Sequence, residues 1–382
     1  MKVLFIGHEK QVSGASRSLL EMMTEISRVH EVYVLSAYRK GMFVDAVKHA
    51  GFSLISVPFF RWRLHFKGNE QNRWIKKNIY RLLQALNYLF LPYLIYKVKQ
   101  QGIDLIHTNT TSTHMGCLLS KYTGIPHVLH VREFGEEDFD MTFLWKEQKC
   151  YQLLNRHTDY VIYVSYAVKE KYRGKITVAQ EVIYNGVGIE YQEKGYVRSG
   201  RRRPLSLLIA GRIEAAKGQE DAIFAVSHLV EQGIKDIRLY IAGSGESQKL
   251  ARLVSEKGLE KQVVFLGFQR DMTAVREQMD VELVCSCCEA FGRVTVEAFM
   301  SGMPVIGSDI GGTRELICAG ENGLLYAPKD VYALAKAIQQ LYLEPILLEK
   351  MSENAMKYAQ KTFTSEQNGK NVLQVYREIL KV

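Results

Sequence analysis

Glu289 and Glu297 stand eight residues apart, with Phe291-Gly292 after the first and Ala298-Phe299-Met300-Ser301-Gly302 after the second. A carboxylate pair of this kind can hold sugar hydroxyls beside a phosphate site. Upstream, Val281 to Ser286 is apolar and rich in β-branched and small residues, which predicts a buried strand. Downstream, Val294 to Met300 reads as the start of a helix closed by Gly302, and Met303 to Gly307 as the next strand. Glu289 is therefore expected on a strand-to-helix loop at the carboxyl end of its strand, where open α/β sheets bind ligands. Glu297 is expected inside the following helix, near its start. Phe291 and the backbone N–H groups of Gly292, Arg293, Val294 and Thr295 would line the phosphates at that helix N-terminus.

A second cluster is cationic. Gly211-Arg212-Ile213-Glu214-Ala215-Ala216-Lys217-Gly218 follows one apolar run and precedes a helical one. A diphosphate that is to depart as a leaving group must have its charge neutralised. Arg212 offers a planar fork of donors and Lys217 a compact point charge. Gly211 opens the loop, and Gly218 lets the chain turn closely into the helix.

These segments resemble the retaining nucleotide-sugar glycosyltransferases of family four, which have the GT-B fold. The carboxylate pair is similar to their Glu-x7-Glu signature, and Gly211 to Gly218 to their Gly-Arg-x4-Lys-Gly motif. Gly311-Gly312-Thr313-Arg314-Glu315, after Ser308-Asp309, is similar to their Gly-Gly-x-x-Glu run. Cys285-Ser286 stands where the family usually has Pro-Ser. The resemblance implies that Arg212 and Lys217 stabilise the departing diphosphate, Glu289 positions the sugar and Glu297 binds the ribose hydroxyls. It implies no covalent nucleophile, since the leaving phosphate oxygen helps deprotonate the acceptor. In the family a histidine at the end of a first-domain strand approaches the sugar. His130 fills that place in Pro126-His127-Val128-Leu129-His130-Val131-Arg132-Glu133, while His127 starts the strand. Arg132 and Glu133 follow as candidate acceptor contacts, and His107 also ends a strand. Gly14, in Gly7 to Ala15, would bring helix N-terminal amides near an anion. Ser13 and Ser16 replace the family's Gly and Glu there.

With 382 residues, two domains of ordinary size are expected. Hydrophobic residues at 47% and charged ones at 24% fit a soluble globular class. A net charge of +9 favours an acidic partner. Val3 to Ile6 is too short for a signal h-region, and Leu82 to Tyr96, interrupted by Gln84, Asn87 and Pro92, is too short to span a bilayer. The six cysteines show no paired metal spacing, which fits a reducing cytoplasm. Asp138-Phe139-Asp140 reads as a surface loop, so metal-independent chemistry is expected, with no cofactor beyond the donor itself.

Strand and helix signals alternate, which predicts parallel sheets with helical crossovers. Strands are expected at 2–6, 31–35, 52–57, 104–107, 127–131, 160–164 and 181–184. They resume at 205–210, 237–242, 263–266, 281–286 and 304–306. Tyr191 to Pro204 is polar, basic and aperiodic, and predicts a linker. The fold class is thus α/β: an acceptor-side Rossmann-like domain over 1–190, a linker at 191–204 and a nucleotide-sugar domain over 205–362. A last helix over 363–382 crosses back to the first domain, as the resemblance implies. The same architecture implies that the two sheets face an interdomain cleft.

Arg61-Trp62-Arg63-Leu64-His65-Phe66-Lys67 is followed by Arg73, Trp74, Lys76, Lys77 and Arg81. Basic and aromatic residues together suit an anionic membrane surface. Residues 60–100 are therefore expected to dock on the inner leaflet, with a surface helix turning its aromatics inward as the competing reading. No nucleic-acid recognition motif accompanies the charge. The expected partners are a nucleotide-sugar donor and a glycan or lipid-linked acceptor, in surface polysaccharide or glycolipid assembly. Two rivals are a non-catalytic nucleotide-sugar or polysaccharide binding subunit and a GT-B nucleotide-sugar 2-epimerase. A dehydrogenase is disfavoured, because neither Gly7 to Gly14 nor Gly243-Ser244-Gly245 completes a dinucleotide fingerprint.

Overall fold

A computed structural model describes residues 1–65, 70–188 and 204–381. In chain order its first elements are β1 (Lys2–Gly7), α1 (Gly14–Ser27), β2 (Glu31–Ser36), α2 (Met42–His49), β3 (Ser53–Ser56), β4 (Arg63–His65) and α3 (Glu70–Gln101). Then come β5 (Leu105–Asn109), α4 (Met115–Thr123), β6 (His127–Val131), α5 (Glu136–Phe139), β7 (Met141–Phe143), α6 (Glu147–His157), β8 (Tyr160–Tyr163), α7 (Tyr166–Lys171) and β9 (Ala179–Val182). The second half holds β10 (Leu205–Ala210), α8 (Gln219–Glu231), β11 (Ile237–Ala242), α9 (Gln248–Glu256), β12 (Val263–Gly267), α10 (Met272–Arg276) and β13 (Val281–Val284). It continues with α11 (Arg293–Met300), β14 (Val305–Ser308), α12 (Gly311–Leu316), β15 (Gly323–Tyr326), α13 (Val331–Leu343), α14 (Pro345–Thr362) and α15 (Ser365–Leu380). Two compact units result: Met1–Gly188 with Ser365–Val382, and Ile189–Thr364. The linker expected at 191–204 lies outside the described residues except for Pro204.

The first unit is a seven-stranded parallel sheet in the order β3-β2-β1-β5-β6-β8-β9. Its inner strands β1, β2, β5, β6 and β8 are buried on both faces, as parallel strands under helical crossovers must be. Val3, Phe5, Leu105, Val128 and Ile162 pack under α1 and α15 with Leu19, Met22, Val372 and Tyr376. Leu4, Ile6 and Ile106 pack under α3 and α4 with Leu91, Leu94, Val98 and Leu118. In the second unit six parallel strands run β12-β11-β10-β13-β14-β15. Leu207, Leu239, Val281 and Ile306 join Ile223, Val226, Leu334 and Ile338 of α8 and α13 in its core. Counted from β10, that order is the doubly wound 3-2-1-4-5-6 arrangement, whose switch point lies between β10 and β13.

The Arg61 to Lys67 segment is a correction. Phe66 and Lys67 lie outside the described residues, and the rest turns largely inward. Trp62 is buried, stacks on His114 with ring centroids 4.7 Å apart and donates Nε1–H to the Thr111 carbonyl at 2.7 Å. Arg63 is buried as well, donating to Thr111 Oγ1 at 2.7 Å and Tyr172 Oη at 2.9 Å, with its guanidinium 4.5 Å from the Phe143 ring centroid. These contacts hold β4 antiparallel to β7. A buried arginine must be paired and hydrogen-bonded, so these residues are committed to the fold rather than to a membrane.

Candidate functional site

The β10–α8 and β13–α11 loops leave adjacent strands at the switch point of the second sheet. Gly211 carries the chain out of β10, and its N–H donates to the Ala242 carbonyl at 2.9 Å. A single 3-10 turn, Ala215–Lys217, then delivers Gly218 at φ 69°. A Cβ on Gly218 would lie 2.3 Å from the Cys285 carbonyl oxygen, so the two loops can be this close only at glycine. The Cys287 N–H closes the same junction by donating to the Ala216 carbonyl at 3.0 Å.

Across that junction the Lys217 ammonium donates to Glu289 Oε1. Ser286 Oγ donates to the same oxygen at 2.7 Å. Ser286 is itself anchored, because its carbonyl accepts Ser308 Oγ at 2.6 Å. The Glu289 carbonyl accepts the Gly312 N–H at 2.7 Å, which seats the loop on the start of α12. Lys217 and Glu289 thus meet with their side chains still partly open to solvent. Arg212, on the same loop as Lys217, is exposed, and among the described residues no partner holds its guanidinium.

Glu297 is held apart from that pair. Its Oε1 accepts Arg293 Nε at 2.8 Å, one helical turn back, and its Oε2 accepts Arg276 Nη1 at 3.1 Å. Arg276 is buried and also grips Glu282, through Nε at 2.7 Å and Nη2 at 3.4 Å. Burial opposes the Arg276 charge, but Glu282 and Glu297 outweigh it and raise its pKa. Burial raises Glu282, and Arg276 opposes that shift. Sequence reading missed Arg276. The signal was Glu282 itself, a carboxylate inside the apolar run Val281-Glu282-Leu283-Val284, which cannot be buried without a cation.

The start of α11 is only partly arranged as expected. Gly292 is the N-cap at φ 89°, and Phe291 is buried with an edge-on contact to Phe363. The Thr295 and Val296 amides turn back to the Gly292 carbonyl, at 3.0 and 3.4 Å. Thr295 therefore spends its N–H inside the helix, and its buried hydroxyl lacks a hydrogen-bond partner. Arg293 answers Glu297 through its side chain, a role the backbone reading did not foresee. Val294 follows in the first turn, half-buried.

In the first unit the placement differs. Gly14 opens α1 with free space where a Cβ would stand. Ser13 and Ser16 form a reciprocal cap there, with Ser13 N–H donating to Ser16 Oγ at 2.7 Å. The Glu9 carboxylate accepts the Ser13 hydroxyl at 2.7 and 2.8 Å, so a carboxylate already sits at this helix start.

His130 is fully buried. Its Nδ1 lies 3.3 Å from His107 Nε2 and 3.2 Å from Arg132 Nη2, and His107 Nδ1 lies 2.6 Å from Tyr376 Oη. Burial first, then Arg132, depresses both imidazoles well below their usual range. His130 therefore lies beneath the surface of the first unit, with its Nε2 lacking a hydrogen-bond partner. Alternation along β6 turns its ring into the α1/α15 face, away from solvent. His127 is structural, with Nε2 2.8 Å from Thr108 Oγ1. Arg132 donates Nε–H to Asn109 at 2.5 Å and bonds Asn185. Glu133 accepts the Thr111 amide and hydroxyl, both at 2.6 Å. Asp138 caps α5, accepting amides of Phe134 and Gly135 at 2.9 and 2.7 Å.

Comparison with known proteins follows the same division. The model of the glycosyl transferases group 1 matches residues 199–358, and that of Glycosyltransferase Family 4 matches residues 12–191. The chain is 27% identical over 335 residues to the uncharacterized glycosyltransferase MJ1607 of Methanocaldococcus jannaschii, spanning 78% of this chain and 84% of that protein. It is 27% identical over 238 residues to the lipopolysaccharide core biosynthesis mannosyltransferase LpcC of Rhizobium leguminosarum bv. viciae, spanning 59% and 66%. The fold is similar to that of Anabaena Alr3699/HepE in complex with UDP, with a TM-score of 0.78 at 21% identity over 99% of this chain and 100% of that one. The same protein in complex with UDP-glucose gives 0.75 at 22% identity, over 99% and 100%.

Proposed function

We propose, from the premise that this chain belongs to the glycosyl transferases group 1, that it moves a sugar from a nucleoside diphosphate sugar to an acceptor hydroxyl with retention of configuration. The chain is a glycosyltransferase, and its two Rossmann-like domains are those of the GT-B fold. The contact that carries the reading is Lys217 with Glu289 at the switch point of the second sheet, beside exposed Arg212.

Bound donor phosphate competes with Glu289 for Lys217. As the sugar C1–O bond breaks, Arg212 and Lys217 take up the charge growing on the diphosphate, which is where fixed cations lower a barrier most. Glu289, steadied by Ser286, is then free to accept sugar hydroxyls. Glu297 accepts the ribose hydroxyls, its direction set by Arg276 and Arg293. The acceptor oxygen attacks C1 on the face the diphosphate leaves, and its proton passes to the leaving phosphate oxygen. The two cations supply the charge neutralisation, so the reaction is proposed to need no metal ion.

Anabaena Alr3699/HepE, with UDP-glucose bound, supports the donor class. LpcC, a lipopolysaccharide core mannosyltransferase, supports a glycan or lipid-linked acceptor in surface polysaccharide or glycolipid assembly. The test is a thermal-shift panel of UDP-, GDP- and ADP-sugars, followed by NMR of the product's anomeric centre. One nucleotide series should raise the midpoint by mass action, and the product should keep the donor's anomeric configuration. An inverted product ends the retaining reading. Absence of turnover with every donor, despite binding, favours a binding subunit.

A further inference from the structure

The switch point of the first sheet lies between β1 and β5, where an open α/β sheet takes its ligand. The chain leaves β5 through Thr110 at φ 79°, a value that a β-branched residue resists. Strain of this kind persists only where the surroundings impose it, and it gathers at ligand sites. Here the Thr110 N–H donates to the His130 carbonyl at 2.8 Å, and Thr110 Oγ1 lies 3.3 Å from His8 Nδ1, just past the end of β1.

Three further segments meet around this point, and each brings a cation. The loop after β1 carries Lys10. The loop after β2 carries Arg39 and Lys40 and packs on the first through Gly41, at φ 140°, where a Cβ would lie 2.6 Å from the Lys10 carbonyl oxygen. The Phe43 N–H donates to that same oxygen at 3.3 Å. The segment after β3 carries Arg61, fixed beside the β5 loop because the next N–H, of Trp62, donates to the Ser112 carbonyl at 3.1 Å. Burial, and then the charge of Arg61, depress the His8 imidazole, so Arg61 also reaches the β1 loop. Lys10, Arg39 and Lys40 are exposed and Arg61 is half-buried. Among the described residues none of these four side chains has a hydrogen-bond or ion-pair partner. Glu9 is the one acid in 8–13, 37–41 and 57–62, and its carboxylate accepts the Ser13 hydroxyl. The rim thus differs from Lys217, whose charge Glu289 meets.

Cations gathered without counter-charge repel one another, and a bound anion relieves that repulsion where a neutral glycan does not. Two guanidinium forks with two ammonium groups suit the several oxygens of a phosphate. We propose that Lys10, Arg39, Lys40 and Arg61, at the first switch point, bind a phosphate or diphosphate group of the acceptor, so that the acceptor is a phosphorylated sugar, free or isoprenoid-linked. This rests on the reading of the chain as a transferase with its acceptor on the first unit, and it names the chemistry of that acceptor.

The test begins with inorganic pyrophosphate titrated calorimetrically into the full chain. Two sites should fill in the unmodified chain and one in Lys217→Ala. Adding Lys10→Gln/Arg39→Gln/Lys40→Gln to Lys217→Ala should weaken the remaining site by about a hundredfold or more, because each charged hydrogen bond lost is worth about tenfold. Thermal melts should be unchanged, since the three side chains are exposed. A single site that Lys217→Ala abolishes overturns the proposal without recourse to the rim variant. So does a remaining site that the rim variant leaves at full strength. Glucose 1-phosphate and farnesyl diphosphate are then set to compete with pyrophosphate in Lys217→Ala. Displacement by the sugar phosphate assigns a free acceptor, displacement by the isoprenoid diphosphate alone a lipid-linked one, and displacement by neither overturns the acceptor assignment. Pyrophosphate at the rim without turnover of any donor would refute the proposed function and leave this site standing. Transfer to a neutral glycan, with the same KM in the chain carrying only the three rim substitutions, would leave the transferase reading and end this one.

Discussion

Both sheets reverse strand order beside their first strand, yet the two switch points are furnished oppositely. In the second unit the loops after β10 and β13 hold Arg212, Lys217 and Glu289 within reach of solvent, on a scaffold of close glycine contacts. In the first unit β5, β6 and the residues just after β1 and β6 carry His8, His107, His130, Arg132 and Glu133, all buried. One set stands partly open to solvent; the other is buried and, His130 Nε2 apart, engaged within the protein. Polar residues at strand ends therefore do not by themselves mark a site. What separates the two is whether pleat alternation and the covering helices leave the side chain an open side.

The largest expected effect that tests this contrast comes from acid. Five fully buried histidines of the first unit are held below their ordinary value of 6.5: His8 to about 3, His114 and His127 to about 4, and His107 and His130 well below. Burial is the first cause in each case. Such imidazoles are neutral in the fold and gain a proton on unfolding. Their contribution is whole above pH 6.5 and is lost as pH falls toward the folded values, by about 1.4 kcal/mol per pH unit for each group. Glu133 and Asp138, raised by burial, oppose part of that loss. The second unit has only His228, half-buried. Trp62, Trp74 and Trp145 all lie in the first unit. Between pH 6.5 and 5 the tryptophan-fluorescence melting midpoint should drop well ahead of the later calorimetric transition. Parallel movement of both would mean that the first unit's histidines are not buried as described.

Next in size is Arg276→Met. Removing the cation strands Glu282 without a partner, and breaking a buried pair costs about 3–5 kcal/mol. The loss should appear in the second unit's calorimetric transition and leave the fluorescence midpoint in place. Lys217→Ala should act on rate instead. Turnover should fall about 10²- to 10³-fold, while stability should shift by less than about 1 kcal/mol, because the Lys217–Glu289 pair is partly exposed. A large stability loss there would place the pair among structural contacts. The smallest effect is Ser13→Ala, which removes a reciprocal helix cap at a cost of about 1 kcal/mol, read as a lower fluorescence midpoint with donor affinity unchanged.

Where local pattern and tertiary outcome agree, the fold is readable from residues alone. β6, β10 and β11 begin and end where their apolar runs do. The meeting of Lys217 and Glu289 was legible because spacing and loop chemistry put them on loops at the carboxyl ends of neighbouring strands. The rest was hidden for physical reasons. β4 and β7 are three residues each and far apart in sequence, joined through buried Arg63, so neither carries a period of its own. β15 rests on Gly323, where a Cβ would lie 2.2 Å from the Val305 carbonyl oxygen, a tertiary contact that no local propensity reports. The direction of the His130 ring depends on strand pleat relative to α1 and α15. Exposure of Leu82 and Leu89 on α3 is likewise invisible to composition, which shows an apolar run but not which side is covered.

The first unit draws α15 from beyond the whole second unit, and Val372, Val375 and Tyr376 fill its core. On the ribosome, where domains fold in order of emergence, the usual sequence is inverted. The later-coded domain can finish folding while the earlier one still lacks its closing helix and His107 its Tyr376 partner. A released chain truncated before residue 365 should hold the second domain native and the first half-made, open to proteases and chaperones.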